Sequence, residues 1–229
     1  MQHRIFITGY YGFGNTGDEA ILVAMIAHLR AICPNLDIVV TSADPAQTRM
    51  AHNVDAILWS DALAMLDAVS SADLILVGGG GIFHDYWGFN PNAVLTDNHW
   101  GISFYTSPAI MAALFHKPLM LYGVGIGPLL SEHGRRFTRV ACDVAQLVTV
   151  RDAASEALLR EIGVPPEKVR LAADPVFAFP MPASEETDTP AKVVGVALRH
   201  WDIGVYPAFW ENEAAIAFDA FLEEHPEYT

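Results

Sequence analysis

Four places in this chain carry residues whose types and spacing could do chemistry. The first is Gly9-Tyr10-Tyr11-Gly12-Phe13-Gly14-Asn15-Thr16-Gly17-Asp18-Glu19, where a glycine-rich turn leads directly into two carboxylates. The second is a run of four glycines at 78–81 followed by Ile82-Phe83-His84-Asp85. The third is Gly123-Val124-Gly125-Ile126-Gly127-Pro128, and the fourth is Arg151-Asp152 at the end of an apolar run. Glycine lets backbone approach a ligand closely because no Cβ intrudes. Histidine and carboxylates can exchange protons or hold hydroxyls, and arginine offers an always-charged planar fork to anions. Asp18 and Glu19 also suit the positive end of a helix, and a purely structural reading makes Asp18 a helix cap. Arg151 can equally bind an anion or pair with a neighbouring acid.

Each of these places follows or ends an apolar, β-branched stretch that reads as a buried parallel strand, residues 4–8, 72–77, 118–124 and 147–152, and residues 36–41 read as another such strand. Residues 55–58 read as a further short strand, and 169–177 as the last strand of the domain. Helical periodicity follows the first turn to about residue 32, with a short helix within 42–53. It recurs over 61–69 behind a Ser60 cap, over 103–116, after a Ser131 cap, and from an Asp152 cap to about 162, where Gly163 closes the helix. Alternating strand and helix predicts a Rossmann-like, doubly wound parallel sheet whose ligands gather outside the carboxyl ends of its strands. All the glycine loops then share one edge, and His84 and Asp85 face the crevice. Residues 86–101 lack periodicity and hold Tyr86, Trp87, Phe89, Asn90, Asn92, Asp97, Asn98, His99 and Trp100, rings and amides that suit sugar faces and hydroxyls or a docked domain.

Gly12, Gly14 and Gly17 match G-x-G-x-x-G, but the match is weak as a dinucleotide fingerprint. Asp18 and Glu19 occupy the place where a pyrophosphate would sit, and only Asp44 could serve as the ribose-binding acid. The net charge of −14 argues against a nucleic-acid partner. With 229 residues, 52% hydrophobic and 17% charged, the chain can build one full domain and part of another. Cys33 and Cys142 lie far apart within apolar helical patterns and read as buried free thiols, which fits a reducing cytoplasm. No metal-ligand spacing, signal peptide or unbroken membrane span is visible. Residues 1–178 are the expected first domain, 179–191 a proline-rich acidic linker, and 192–229 the start of a second domain. In the last, 193–199 reads as a strand and 208–225 as a helix; one of each cannot bury a core, so the chain is expected to stop inside that domain.

The first motif, Gly-Tyr-Tyr-Gly-x-x-Asn-x-Gly-Asp-Glu-Ala-Ile-Leu, resembles the polysaccharide pyruvyl transferases. Further segments are similar to that family in the expected order: Gly-Gly-Gly-Gly-x-x-x-Asp ending at Asp85, Gly-x-Gly-Ile-Gly-Pro ending at Pro128, Arg151-Asp152-x-x-Ser155, Asp174-Pro175, and Leu198-Arg199-His200-Trp201. The resemblance implies the N-terminal half of a two-domain, glycosyltransferase-B-like fold. It implies transfer of a pyruvyl group from phosphoenolpyruvate to a saccharide as a ketal, with no cofactor and no metal. The acceptor is a saccharide of a cell-wall polymer, an exopolysaccharide or a lipid-linked precursor, and the oligomeric state stays open. On this footing Asp18 and Asp85 are base candidates, and His84 is the acid/base candidate. Gly12, Asn15, Gly17, Glu19, Gly79, Gly80 and Gly125 are substrate-binding candidates, and Arg151 and Arg199 are the anion candidates. An Arg-x-His segment on the family's donor side has no counterpart here. The rival functions are a nucleotide-sugar glycosyltransferase on the same fold and a non-catalytic carbohydrate-binding remnant.

Overall fold

The computed structural model describes residues 3–98, 101–179, 192–198, 200, 202 and 206–228. The chain divides into two compact units, Met1–Pro180 and Met181–Thr229.

The first unit is the expected Rossmann-like α/β fold. Its strands are β1 (His3–Thr8), β2 (Leu36–Ser42), β3 (Asp55–Leu58), β4 (Leu74–Gly78), β5 (Leu119–Val124), β6 (Leu147–Val150) and β7 (Val169–Leu171). They form one sheet in the order β3-β2-β1-β4-β5-β6-β7, and every pairing is parallel. The strand order reverses between β1 and β4, which pair directly with Thr8 opposite Val77. That switch point is where a doubly wound sheet opens a crevice.

Alternating residues of each strand feed two cores. Ile5, Ile7, Ile38, Val40 and Leu76 pack against Ile21, Leu22, Met25 and Ile26 of α1 (Thr16–Ile32). Phe6, Val39, Ile75, Val77 and Leu121 face the other way. There they meet α3 (Ala62–Ser71), α4 (Gly101–Leu114), α5 (Glu132–Val144) and α6 (Ala153–Glu161), all part of the larger cluster. The short α2 (Pro45–His52) follows β2, with Asp44 as its cap. Two-sided burial is why the strands read as continuous apolar runs rather than alternating ones.

Several local expectations change. Asn15, not Asp18, caps α1: its side-chain oxygen accepts from the backbone N–H groups of Gly17 and Asp18 at 3.0 and 3.3 Å. Asp61, not Ser60, caps α3. The last strand ends at Leu171, because Asp174 caps a 3-10 turn over Pro175–Ala178. Cys142 is fully buried, but Cys33 is a half-exposed residue at the C-terminal end of α1. Burial, then the Asp143 charge, pushes the Cys142 thiol up to about 12, so at pH 8 it is almost wholly protonated and unreactive. A thiol reagent at pH 8 is therefore expected to modify Cys33 in the folded chain and Cys142 only on unfolding. Equal rates for the two would contradict this packing.

In the second unit, α7 (Pro207–Glu224) is the expected helix. The strand expected at 193–199 is absent over its described part: 193–198 are irregular and largely exposed, with only an isolated bridge between Lys192 and Tyr228. A strand needs a neighbour to take its backbone hydrogen bonds, and this segment has none among the described residues. Lys192 instead pairs with Glu227 at 3.2 Å. The linker expected at 179–191 lies outside the described residues from 180 onward. No helix among the described residues is long and apolar enough to cross a membrane.

Candidate active site

The site is built where the loops after β1, β4, β5 and β6 converge. The β4 loop lies beside the β1 loop because their strands pair. The β5 loop runs alongside the β4 loop: Gly125 donates its N–H to the Gly80 carbonyl at 2.9 Å, and Gly127 donates to that of Phe83 at 2.8 Å. Residues 79–81 form the floor shared by all of them.

Asp18 stands on one side of this floor. Gly80 has φ +74°, and a Cβ there would sit on the Asp18 carboxylate oxygen. Glycine is needed at this position both for its backbone conformation and for the close approach of the carboxylate. Two buried phenols lie near Asp18. The Tyr11 hydroxyl donates to the Gly78 carbonyl at 2.6 Å, and the same phenolic oxygen fills the space beside Gly79. Burial raises both Tyr11 and Tyr105 above the ordinary phenol range, and the negative charge of Asp18 raises them further. Neither tyrosine stood out as a site residue in the sequence. Tyr105 lies on α4 among buried residues on every face, so periodicity gave it no distinction.

Arg151 stands on the other side. Its guanidinium lies against Gly125, where a Cβ would be 3.2 Å from Nε and 3.3 Å from Nη2, and reaches toward Gly81. Its Nη1 donates to Asp174 Oδ2 at 2.7 Å. Both sequence alternatives for Arg151 are therefore live at once: it pairs with an acid, and its side chain stays 31% exposed at the strand edge.

Other expected site residues take supporting places. Glu19 folds back to accept the Gly12 N–H at 2.7 Å, tying helix α1 to its own loop. Gly12 packs on the Ser42 hydroxyl and the backbone of Ala43 and Asp44, and Asn15 and Gly17 are joined in the cap. Asp85 does not face the crevice. It is 4% exposed; its carboxylate accepts from the backbone N–H groups of Leu130 and Ser131, the latter at 2.8 Å, and from the Ser131 hydroxyl. It lies so close to Gly134 that a Cβ there would collide with it. With both oxygens occupied at the start of α5, Asp85 is a structural anchor rather than a base. His84, one residue earlier, is half-buried and stacks flat on Tyr86, with ring centroids 3.8 Å apart, and edge-on to Trp87. Of the aromatic loop, Trp87 is 58% exposed, whereas Phe89 packs on Phe137 and His133 of α5. His99, Trp100, Arg199 and Trp201 lie outside the described residues, and His200 pairs with Glu211.

A cavity of about 360 Å³, lined by His28, Tyr122, Gly123, Thr149, Asp174 and Pro175 among others, touches this site only through Asp174 and involves none of the site residues expected from the sequence. Among the described residues no three His, Cys, Asp or Glu side chains gather as metal ligands.

The fold has solved relatives. S. aureus MnaA in complex with UDP aligns at a TM-score of 0.56 and 15% identity, covering 100% of this chain and 61% of that one. A UDP-N-acetylglucosamine 2-epimerase aligns at 0.51 and 14% identity, covering 84% of this chain and 56% of that one. At these identities the likeness is one of fold, and the chain spans less than two thirds of either protein. No curated protein matches the chain. The sequence model of the polysaccharide pyruvyl transferases, however, matches residues 15–226. That span takes in Asp18, the glycine floor and Arg151, and the chain belongs to the polysaccharide pyruvyl transferase family.

Proposed function

We propose that this chain takes part in transferring a pyruvyl group from phosphoenolpyruvate to two hydroxyls of a saccharide, and that its first unit receives the acceptor. The observation that carries this reading is the pairing of functions across the glycine floor: the Asp18 carboxylate against Gly80 and the Arg151 guanidinium against Gly125, beside Gly81. Ketal formation needs both. A proton goes to the methylene carbon of phosphoenolpyruvate, leaving positive character at C2. A sugar hydroxyl loses its proton and bonds to C2; the C2–O bond to phosphate breaks; a second hydroxyl adds to the same carbon and closes the ring, its proton leaving with the departing phosphate. The products are one ketal and one inorganic phosphate.

Asp18 accepts the proton of the attacking hydroxyl, and Arg151 holds an anionic group of the donor. His84, braced by Tyr86, is our candidate for protonating the methylene carbon. Phosphoenolpyruvate is a substrate, not a resident cofactor. A cytoplasmic setting agrees with the free cysteines, and the saccharide can be polymeric or lipid-linked.

Thermal unfolding tests the donor. Phosphoenolpyruvate at 100 times its Kd is expected to stabilise the chain by about 2.7 kcal/mol, and saccharide is expected to trigger phosphate release. The relatives with UDP in their names motivate the opposing arm. Stabilisation by UDP-sugars with none by phosphoenolpyruvate would replace this reading with nucleotide-sugar transfer.

A further inference from the structure

Asp174 has no assigned role, yet it governs how Arg151 meets the crevice. Arginine carries five N–H donors in a rigid plane. Asp174 Oδ2 takes one donor on Nη1, at 2.7 Å. Its Oδ1 accepts the Val176 N–H at 3.0 Å, so the carboxylate is itself held by the turn that starts at Pro175. Its side chain is only 16% exposed. The plane of the guanidinium is further set by the bare backbone of Gly125 beneath Nε and Nη2. Among the described residues neither Nε nor Nη2 donates to a protein acceptor. One edge of the fork is therefore anchored at Nη1, while Nε and Nη2 lie along the bare backbone of Gly125 and Gly81 with their donors untaken by the described residues.

We infer that Asp174 is the positioning residue of an oxyanion site in which Arg151 is the binding group. This rests on the proposed reading of Arg151. The shared ligand chemistry is two oxygens in a plane, found in both the carboxylate and the phosphate of phosphoenolpyruvate. A carboxylate next to an anion site repels the anion, so by charge alone its removal would tighten binding. Positioning predicts the reverse, because an arginine released from Asp174 regains rotamer freedom that the anion must then freeze.

The test is calorimetric titration of the 229-residue chain with inorganic phosphate, pyruvate and phosphoenolpyruvate. Asp174→Asn keeps a side-chain oxygen for the Val176 N–H and removes the charged partner. It is expected to weaken phosphoenolpyruvate binding roughly 10-fold, as loss of an orienting partner typically does, with Tm unchanged. Arg151→Ala is expected to abolish it. Competition by phosphate assigns the phosphate group to Arg151, and competition by pyruvate assigns the carboxylate; either supports the site. Unchanged or tighter binding in Asp174→Asn, with Arg151→Ala still impaired, overturns the positioning role and leaves the proposed function standing. Binding that survives Arg151→Ala, or a wild-type chain that binds none of the three anions, removes the oxyanion site itself.

Discussion

Asp18→Asn is expected to lower kcat for saccharide-dependent phosphate release by roughly 10²- to 10⁴-fold, the range for losing a positioned general base. The geometry makes the substitution a clean one. Asn15 caps α1, so the helix start does not rely on Asp18. An amide of the same size keeps the contact with Gly80 that a Cβ at that glycine would destroy. The loss of a negative charge from the first turn of α1 costs about 0.3–1 kcal/mol of stability, far less than the kinetic effect. Phosphoenolpyruvate binding should survive, because Arg151 is untouched, so the KM for the donor should change little while kcat falls. Wild-type turnover in Asp18→Asn at saturating substrates would remove Asp18 from the mechanism.

Asp85→Ala should produce the opposite signature. Its carboxylate serves the N–H groups of Leu130 and Ser131 and the Ser131 hydroxyl, all at the entrance to α5. Deleting it strands two backbone donors in a place with little water, at about 1–3 kcal/mol each. A loss of about 3 kcal/mol corresponds to roughly 10 °C in Tm for a chain of this size. Thermal unfolding with and without the substitution measures this directly. A catalytic Asp85 would behave otherwise: kcat would collapse while Tm held, and the structural assignment would be wrong.

These two aspartates show how far the sequence reaches. Both follow glycine-rich turns, both match a motif, and both look equally poised for chemistry. They differ only in what lies opposite them. Asp85 meets a loop 45 residues away, and Asp18 meets the turn after β4. Glu19 and Arg151 are similar cases: one turns back on its own loop, and the other is held by an acid 23 residues on.

The sequence by itself determined the alternation of strands and helices, the parallel sheet, the existence of glycine loops at its carboxyl edge, and the family. Those properties follow from local signals: continuous apolar runs, caps at Ser131 and Asp152, and residue strings that do not depend on packing. Only the tertiary structure decided the caps at Asn15 and Asp61, the burial of Asp85, the clamp on Arg151 and the failure of 193–198 to form a strand. Each of these is a competition for hydrogen-bond partners or for a neighbouring strand. The two caps are decided within a single turn by which side-chain oxygen meets the free N–H groups, whereas Asp85 and Arg151 are claimed by segments 45 and 23 residues away. A carboxylate becomes a cap, an anchor or a base according to which N–H groups the fold brings within 3 Å, and no residue string of one element records that.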